Sequence, residues 1–249
     1  MAPTLKLCVL NQKGGTGKTT TSIHLAAALS RRGFKTLLID NDPQGSIAVS
    51  LKKNSGGLKE VLKQEIPLEE ALQSISPSLD ILASDYSLIS IEADLHQKEF
   101  TEKEMELYAN ALTKEKILSY SHIIIDMAPS RSKLNEAALY FSDEVLIPVS
   151  CDYLALVGVR DILQFLDQLN DKRPHPLRLR GILPTLYDPR NRISKETVEM
   201  LRQHFPQSVY PPIHHTTKVK EAPSHGKTLF EYAPQSRAAL DYEWLSNLF

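Results

Sequence analysis

The sequence predicts an α/β chain: a doubly wound, mostly parallel sheet with helices on both faces. Three observations carry this. Short apolar runs alternate with helical periods along the whole chain. Several of those runs are continuous rather than alternating, as strands buried on both faces should be. The first run leads straight into a glycine-rich turn and then a helical period, Asn11-Gln12-Lys13-Gly14-Gly15-Thr16-Gly17-Lys18-Thr19-Thr20.

In order, strands are expected near Leu5–Leu10, Lys35–Asp40, Leu79–Ala83, His122–Asp126, Glu144–Val149, Arg180–Leu183 and Ser208–Tyr210. Helices are expected near Lys18–Arg32, Gly57–Leu62, Leu68–Gln73, Lys103–Ser119, Lys133–Phe141, Leu154–Asn170, Ser194–His204 and Pro234–Asn247. The Lys103–Ser119 period has an acidic start at Glu99, Glu102, Glu104 and Glu106. No linker interrupts the pattern, and its Pro-rich stretches read as turns, so residues 1–249 are expected to form one domain.

Composition sets limits. The chain is 42% hydrophobic, enough for a sizeable core, and its two cysteines, Cys8 and Cys151, lack metal spacing. This suits a reducing compartment without a disulfide framework. No apolar run approaches the ~18 residues a membrane span needs, and no signal peptide is legible. The net charge of −1 hides an asymmetry: Lys172 to Lys227 holds eleven Lys/Arg and four Asp/Glu, a net of +7, against −8 for the remainder. A basic region of this kind can bind a polyanion, although an ordinary solvated surface has the same composition.

Strand, glycine loop and helix together form the context of a phosphate-binding loop. Its N–H groups converge on an anion at the helix start. Lys18 supplies a cation for the β- and γ-phosphates, and the Thr19 hydroxyl can ligate Mg²⁺. Ile123-Ile124-Ile125-Asp126 is an apolar strand ending in one carboxylate, a form suited to holding Mg²⁺. Thr36-Leu37-Leu38-Ile39-Asp40 continues into Asn41-Asp42-Pro43-Gln44-Gly45, and a carboxylate there can orient or deprotonate a water attacking the γ-phosphate.

The pattern K-G-G-x-G-K-[ST], with Lys13 ahead of Gly14, Gly15, Thr16, Gly17, Lys18, Thr19 and Thr20, resembles the deviant Walker A loop of the ParA/MinD ATPase superfamily. The resemblance extends to Asp40-Asn41-Asp42-Pro43-Gln44-Gly45, to Asp126-Met127-Ala128-Pro129-Ser130, to Gly181–Arg190, to Lys218–Lys227 and to Tyr232–Ala239, nearly the whole chain. The match is to compact ParA/Soj-like partition ATPases. It implies slow, partner-stimulated ATP hydrolysis with Mg²⁺, Lys13 reaching the nucleotide of a second subunit in an ATP-bound homodimer, Asp40 acting on the water, and Asp42 and Gln44 in a switch sensing the γ-phosphate.

The resemblance also implies sequence-blind binding to double-stranded DNA, a ParB-like or other cargo adaptor, and a cytoplasmic, nucleoid-associated protein. Arg190 and Lys218 sit where family DNA contacts fall, with Lys220, Arg192 and Arg237 as weaker candidates. Two departures stand out. Ala128 replaces a proline and removes one φ constraint from the loop after the metal strand. His214 and Thr216 occupy positions where the family has adenine-side Pro and Asn. A MinD-like membrane-cycling ATPase is the alternative, but it needs a basic amphipathic tail, and the charges in Ala239–Phe249 are acidic. A metallocluster ATPase of the same superfamily would need closely spaced cysteines, which Cys8 and Cys151 are not.

Overall fold

The computed structural model describes residues 3–97, 105–112, 117–171, 173 and 175–249. Seven strands form one sheet: β1 (Leu5–Val9), β2 (Thr36–Asn41), β3 (Leu72–Ser76), β4 (Leu79–Leu82), β5 (His122–Met127), β6 (Glu144–Ser150) and β7 (Arg178–Thr185). Their order is β3-β4-β2-β5-β1-β6-β7, and every pair is parallel except β3–β4. The helices are α1 (Lys18–Arg31), α2 (Ser46–Leu51), α3 (Leu58–Leu62), α4 (Leu68–Ala71), α5 (Ile89–Gln97), α6 (Leu107–Leu112), α7 (Lys133–Phe141), α8 (Ala155–Asn170), α9 (Arg192–His204), α10 (Lys218–Glu221), α11 (Leu229–Tyr232) and α12 (Arg237–Ser246).

The continuous apolar runs behave as expected of strands covered on both faces. Every residue of β2 and β5 is buried. Alternate side chains then feed two cores. Cys8, Leu37, Ile39, Ile123, Ile125, Val145 and Ile147 face α3, α5, α6, α7 and α8. Leu7, Val9, Leu38, Ile124 and Leu146 face α1, α2 and α12. In α8, Val159, Ile162, Leu166 and Leu169 recur at helical spacing along the buried stripe.

Three expectations need correction. The helical period over Leu68–Gln73 stops at Ala71, because Leu72 turns extended and Leu72–Ser76 pairs antiparallel with Leu79–Leu82. A strand partner outweighs a short period at this sheet edge. Ser208–Tyr210 is not a full strand. Val209 forms one parallel bridge to Ile182, and Pro211-Pro212, without N–H donors, interrupt the pairing, which resumes with a bridge between Tyr187 and His214. The last helix begins at Arg237 rather than Pro234, where the Ser236 hydroxyl accepts the Ala239 N–H at 3.4 Å. Within Lys103–Ser119, α6 and one 3₁₀ turn at Ile117–Ser119 are present; Glu99, Glu102 and Glu104 lie outside the described residues.

The tail packs inward. Ala238, Ala239, Tyr242 and Leu245 of α12 are buried in the core that α1 shares, and the Tyr242 hydroxyl meets the Thr21 hydroxyl at 3.3 Å. No helix among the described residues is long and apolar enough to cross a membrane.

Candidate nucleotide site

β1 ends between β5 and β6, and its glycine loop lies at the carboxyl edge of the sheet, where strand order reverses and open α/β sheets form crevices. The loop's path depends on left-handed backbone at Gly15 (φ 77°) and Gly17 (φ 83°), the latter opening α1. The loop is anchored at both ends. Asn11, buried, donates to the Pro148 carbonyl at 2.7 Å and accepts the Lys13 N–H at 2.9 Å. At the other end the Thr185 hydroxyl donates to the Thr16 carbonyl at 2.8 Å. Thr185 closes β7, so β1, β6 and β7 all brace the loop.

Lys18 is buried, with Nζ 3.2 Å from the Lys13 carbonyl. Burial lowers its pKa, while the carboxylates of Asp126 and Asp42 act in the opposite direction. Asp40 and Asp126 are register partners on β2 and β5, both 0% exposed. Asp40 accepts the Asp42 N–H at 3.1 Å and the Ile47 N–H at 3.0 Å, which ties it to the start of α2. Burial first, and then the nearby charge of Asp126, push the Asp40 carboxyl well above the usual carboxylate range. Burial also raises Asp126, against hydrogen bonds from Thr19 and Ser22 and the charge of Lys18. Ser22 donates to Asp126 Oδ1 at 2.9 Å, while Oδ2 is buried without a hydrogen-bond partner among the described residues. A buried, unpartnered carboxylate oxygen beside the Thr19 hydroxyl fits a divalent cation.

Asp42 accepts the Gln44 N–H at 2.9 Å, and its own carbonyl accepts the Ser84 hydroxyl. The Gln44 side chain is exposed. Gly45 lies against β4's end; a Cβ there would stand 2.8 Å from the Ser84 carbonyl oxygen. Lys13 turns away from the loop and pairs with Asp152 at 2.6 Å. Asp152 also accepts the Ser150 hydroxyl. Its slight burial would raise its pKa, but the Lys13 and Ser150 bonds win and hold it low.

His214 and Thr216 lie beside the loop. With Gly17, Thr20, Ile213 and Tyr242 they line one pocket at the mouth of α1. His214 is fixed there by Asp241, which takes both its backbone N–H and its Nδ1 at 2.8 Å, and its ring sits edge-on to Tyr187. The basic candidates gather around α9, α10 and α12, beyond the same edge of the sheet. Four of them are already paired: Arg190 with Asp188 (2.8 Å), Arg192 with Glu196 (2.6 Å), Lys218 with Glu221 (2.7 Å) and Arg237 with Asp241 (3.2 Å).

Sequence reasoning missed Asp152, Ser22, Thr185 and Asn135. Asp152 carried a usable signal, since it follows the carboxyl end of a buried strand. The others are single polar residues in helices or strands, with nothing local to mark them.

An AAA domain family model matches residues 4–179. The chromosome partitioning protein ParA of Caulobacter vibrioides is 33% identical over 237 residues, covering 92% of this chain and 88% of that protein. The chromosome-partitioning ATPase Soj of Thermus thermophilus is 35% identical over 243 residues, covering 97% and 93%.

This chain belongs to the ParA/Soj family of partition ATPases.

Solved structures agree with the family's fold. A cobyrinic acid a,c-diamide synthase from Mycobacterium smegmatis with bound ADP and magnesium superimposes with a TM-score of 0.82 at 29% identity, covering 98% of this chain and 93% of that one. An ATP complex of a Cyanothece McdA variant gives a TM-score of 0.86 at 21% identity, over 100% and 97% of the two chains, a likeness of fold. Membership in this family of P-loop ATPases implies ATP hydrolysis as the general activity.

Proposed function

We propose that residues 1–249 form one ATP-driven switch that pairs with a second copy on ATP, holds DNA without sequence preference, and positions a cargo until an adaptor triggers hydrolysis. The observation that carries the chemistry is the pair of fully buried carboxylates, Asp40 and Asp126, at adjacent strand ends over a glycine loop that contains a buried lysine.

Little covalent work falls to the protein in phosphoryl transfer to water; it must neutralise charge, align a water and exclude solvent. The N–H groups of Gly14 to Thr20 and the Lys18 ammonium hold the phosphates. Thr19 and the Oδ2 of Asp126 would hold magnesium, which when bound would supply neutralisation of phosphate charge. Asp40, a buried carboxyl at the end of β2 beside Asp126, is placed to orient the attacking water or take its proton. Asp42 and Gln44 form the switch that meets the γ-phosphate. His214 and Thr216 face the base. Lys13, on an exposed side chain, exchanges Asp152 for the partner subunit's nucleotide. A monomer then has an incomplete site, and ATP is what joins two of them.

Arg190, Lys218, Lys220, Arg192 and Arg237 supply the phosphate contacts to duplex DNA. The carboxylates now pairing four of them orient their long side chains, and DNA phosphates compete for the same donors. Such binding is salt-dependent and sequence-blind. The cargo is a chromosome, plasmid or protein assembly carrying a ParB-like adaptor, in the cytoplasm on the nucleoid. This reading is supported by the names of the relatives.

The test is Asp40→Ala with ATP and Mg²⁺, followed by size exclusion and phosphate release. The variant is expected to retain ATP, elute as a dimer and release no phosphate. A monomeric profile with ATP bound would count against the mechanism.

A further inference from the structure

We infer that Tyr108, Asn41 and Asn135 form a buried positioning relay that locks the loop bearing Asp40 and the loop following Asp126 into one unit, so that both move together during hydrolysis. This rests on the ATPase reading above.

Asn41 directly follows Asp40 at the end of β2, in register with Met127 of β5. A strand end between two cores would ordinarily take an apolar residue. Here the side chain is an amide, 1% exposed, with both polar atoms engaged. Its Oδ1 accepts the hydroxyl of Tyr108 from α6, and its Nδ2 donates to Asn135 Oδ1 at 2.9 Å. Asn135, in the first turn of α7 and 2% exposed, passes the connection on. Its Nδ2 donates to the Ala128 carbonyl at 3.0 Å and the Ser130 carbonyl at 2.7 Å. The Asn135 N–H is in turn capped by the Ser132 hydroxyl at 3.2 Å.

Three polar side chains are thus sunk in the core in a connected chain, which is costly unless each is satisfied. The chain joins three elements that share no direct sequence link: α6, the end of β2 and the loop after β5. Its far end clamps the two carbonyls that flank Pro129. Ala128 has no ring to fix its own φ, and the Asn135 amide restrains its carbonyl by another route. The chain's middle member, Asn41, is one residue from Asp40. A displacement at Ala128–Ser130 therefore pulls Asn135, and through it Asn41. None of the three residues has to touch nucleotide or water for this; each acts through the geometry of Asp40 and Asp126.

The test compares wild type with Asn135→Ala and with Tyr108→Phe, which keeps the ring and removes only the hydroxyl. In wild type and folded variants, kcat for ATP hydrolysis, affinity for a fluorescent ATP analogue, and amide hydrogen exchange of the nucleotide-free protein are measured. Asn135→Ala is expected to lower kcat by ~10-fold, the cost of a misplaced reacting group, with analogue affinity within about twofold. Exchange should accelerate in residues 41–46 as well as 127–131. Tyr108→Phe should move both in the same direction by less. An Asn41→Ala/Asn135→Ala double variant should be no worse than the worse single one, because the residues act as one unit. An unchanged kcat in folded Asn135→Ala, or faster exchange confined to 127–131 in that variant, would overturn the relay. A wild type that hydrolyses no ATP would instead reject the ATPase reading, and the exchange experiment would still decide the relay.

Discussion

The polar groups at the ends of β1, β2 and β5 and those along the C-terminal third follow opposite physical regimes. Asp40 and Asp126 are 0% exposed, and the bonds that Asp40 and Asn41 make to backbone and side chains leave Asp40 and Asn41 one arrangement. Arg190 and Arg192 have side chains 88% and 90% exposed, each held by one carboxylate of a neighbouring residue. Buried charge is costly to strand, so removing one member has a large and local effect. Exposed pairs are screened and individually weak, so function there comes from their sum.

Substitutions at three positions break or sharpen this contrast, beyond those tied to the proposals above. The largest effect is expected for Lys18→Ala. A desolvated charge contact to phosphate is lost, and ATP affinity should fall by more than about 100-fold in calorimetry, to the point of undetectable binding. Retained affinity would show that the buried regime does not hold at this loop.

Next comes His24, fully enclosed behind the loop on α1. Its Nδ1 lies 2.7 Å from the Thr20 carbonyl and its Nε2 accepts the Leu229 N–H at 3.0 Å, so the neutral ring with a proton on Nδ1 satisfies both. Burial pushes its pKa down to about 4, against a lesser upward pull from the Thr20 bond. The unfolded chain takes up this proton near pH 6.5 and the folded chain only near 4. Stability from neutral His24 is therefore complete above about pH 6.5 and is lost as pH falls from there to 4, by about 3 kcal/mol in all. Urea unfolding at pH 7 and pH 5 should show a fall in midpoint that a folded His24→Leu variant largely lacks. Equal pH dependence in both would assign the fall to other groups.

The smallest effect belongs to Arg190→Ala. Dimerisation and the urea midpoint should stay as in wild type. The slope of log affinity for duplex DNA against log salt should fall by about 1, one phosphate contact. Arg190→Glu should weaken DNA binding further while sparing the dimer. An unchanged salt slope would remove Arg190 from the DNA surface.

The same contrast governs what the sequence makes legible. The glycine loop is a run of consecutive residues whose chemistry depends on backbone, so its reading needs no tertiary information. Asp40 and Asp126 each end a continuous apolar run, and burial on both faces puts such ends side by side. Asp152 is 139 positions from Lys13, and Asn135 is 94 from Asn41. Those contacts depend on which strands become neighbours, which no local pattern encodes. At Leu72–Ser76 a strand partner decided between two weak propensities. The charge count finds the basic segment from Lys172 to Lys227, but Asp188, Glu196 and Glu221 claim three of its candidates through side-chain geometry alone.

Thr185 ties the glycine loop to the far wall of the crevice. Its hydroxyl grips the Thr16 carbonyl, its methyl stands 3.7 Å from where a Cβ on Gly17 would project, and the turn that follows it borders the pocket of His214. One residue thus belongs to both halves of the binding crevice. If His214 and Thr216 face the base as proposed, redesign of that turn to accept a different purine would drag the anion cradle with it, and selectivity for the base and grip on the triphosphate would not be independent dials.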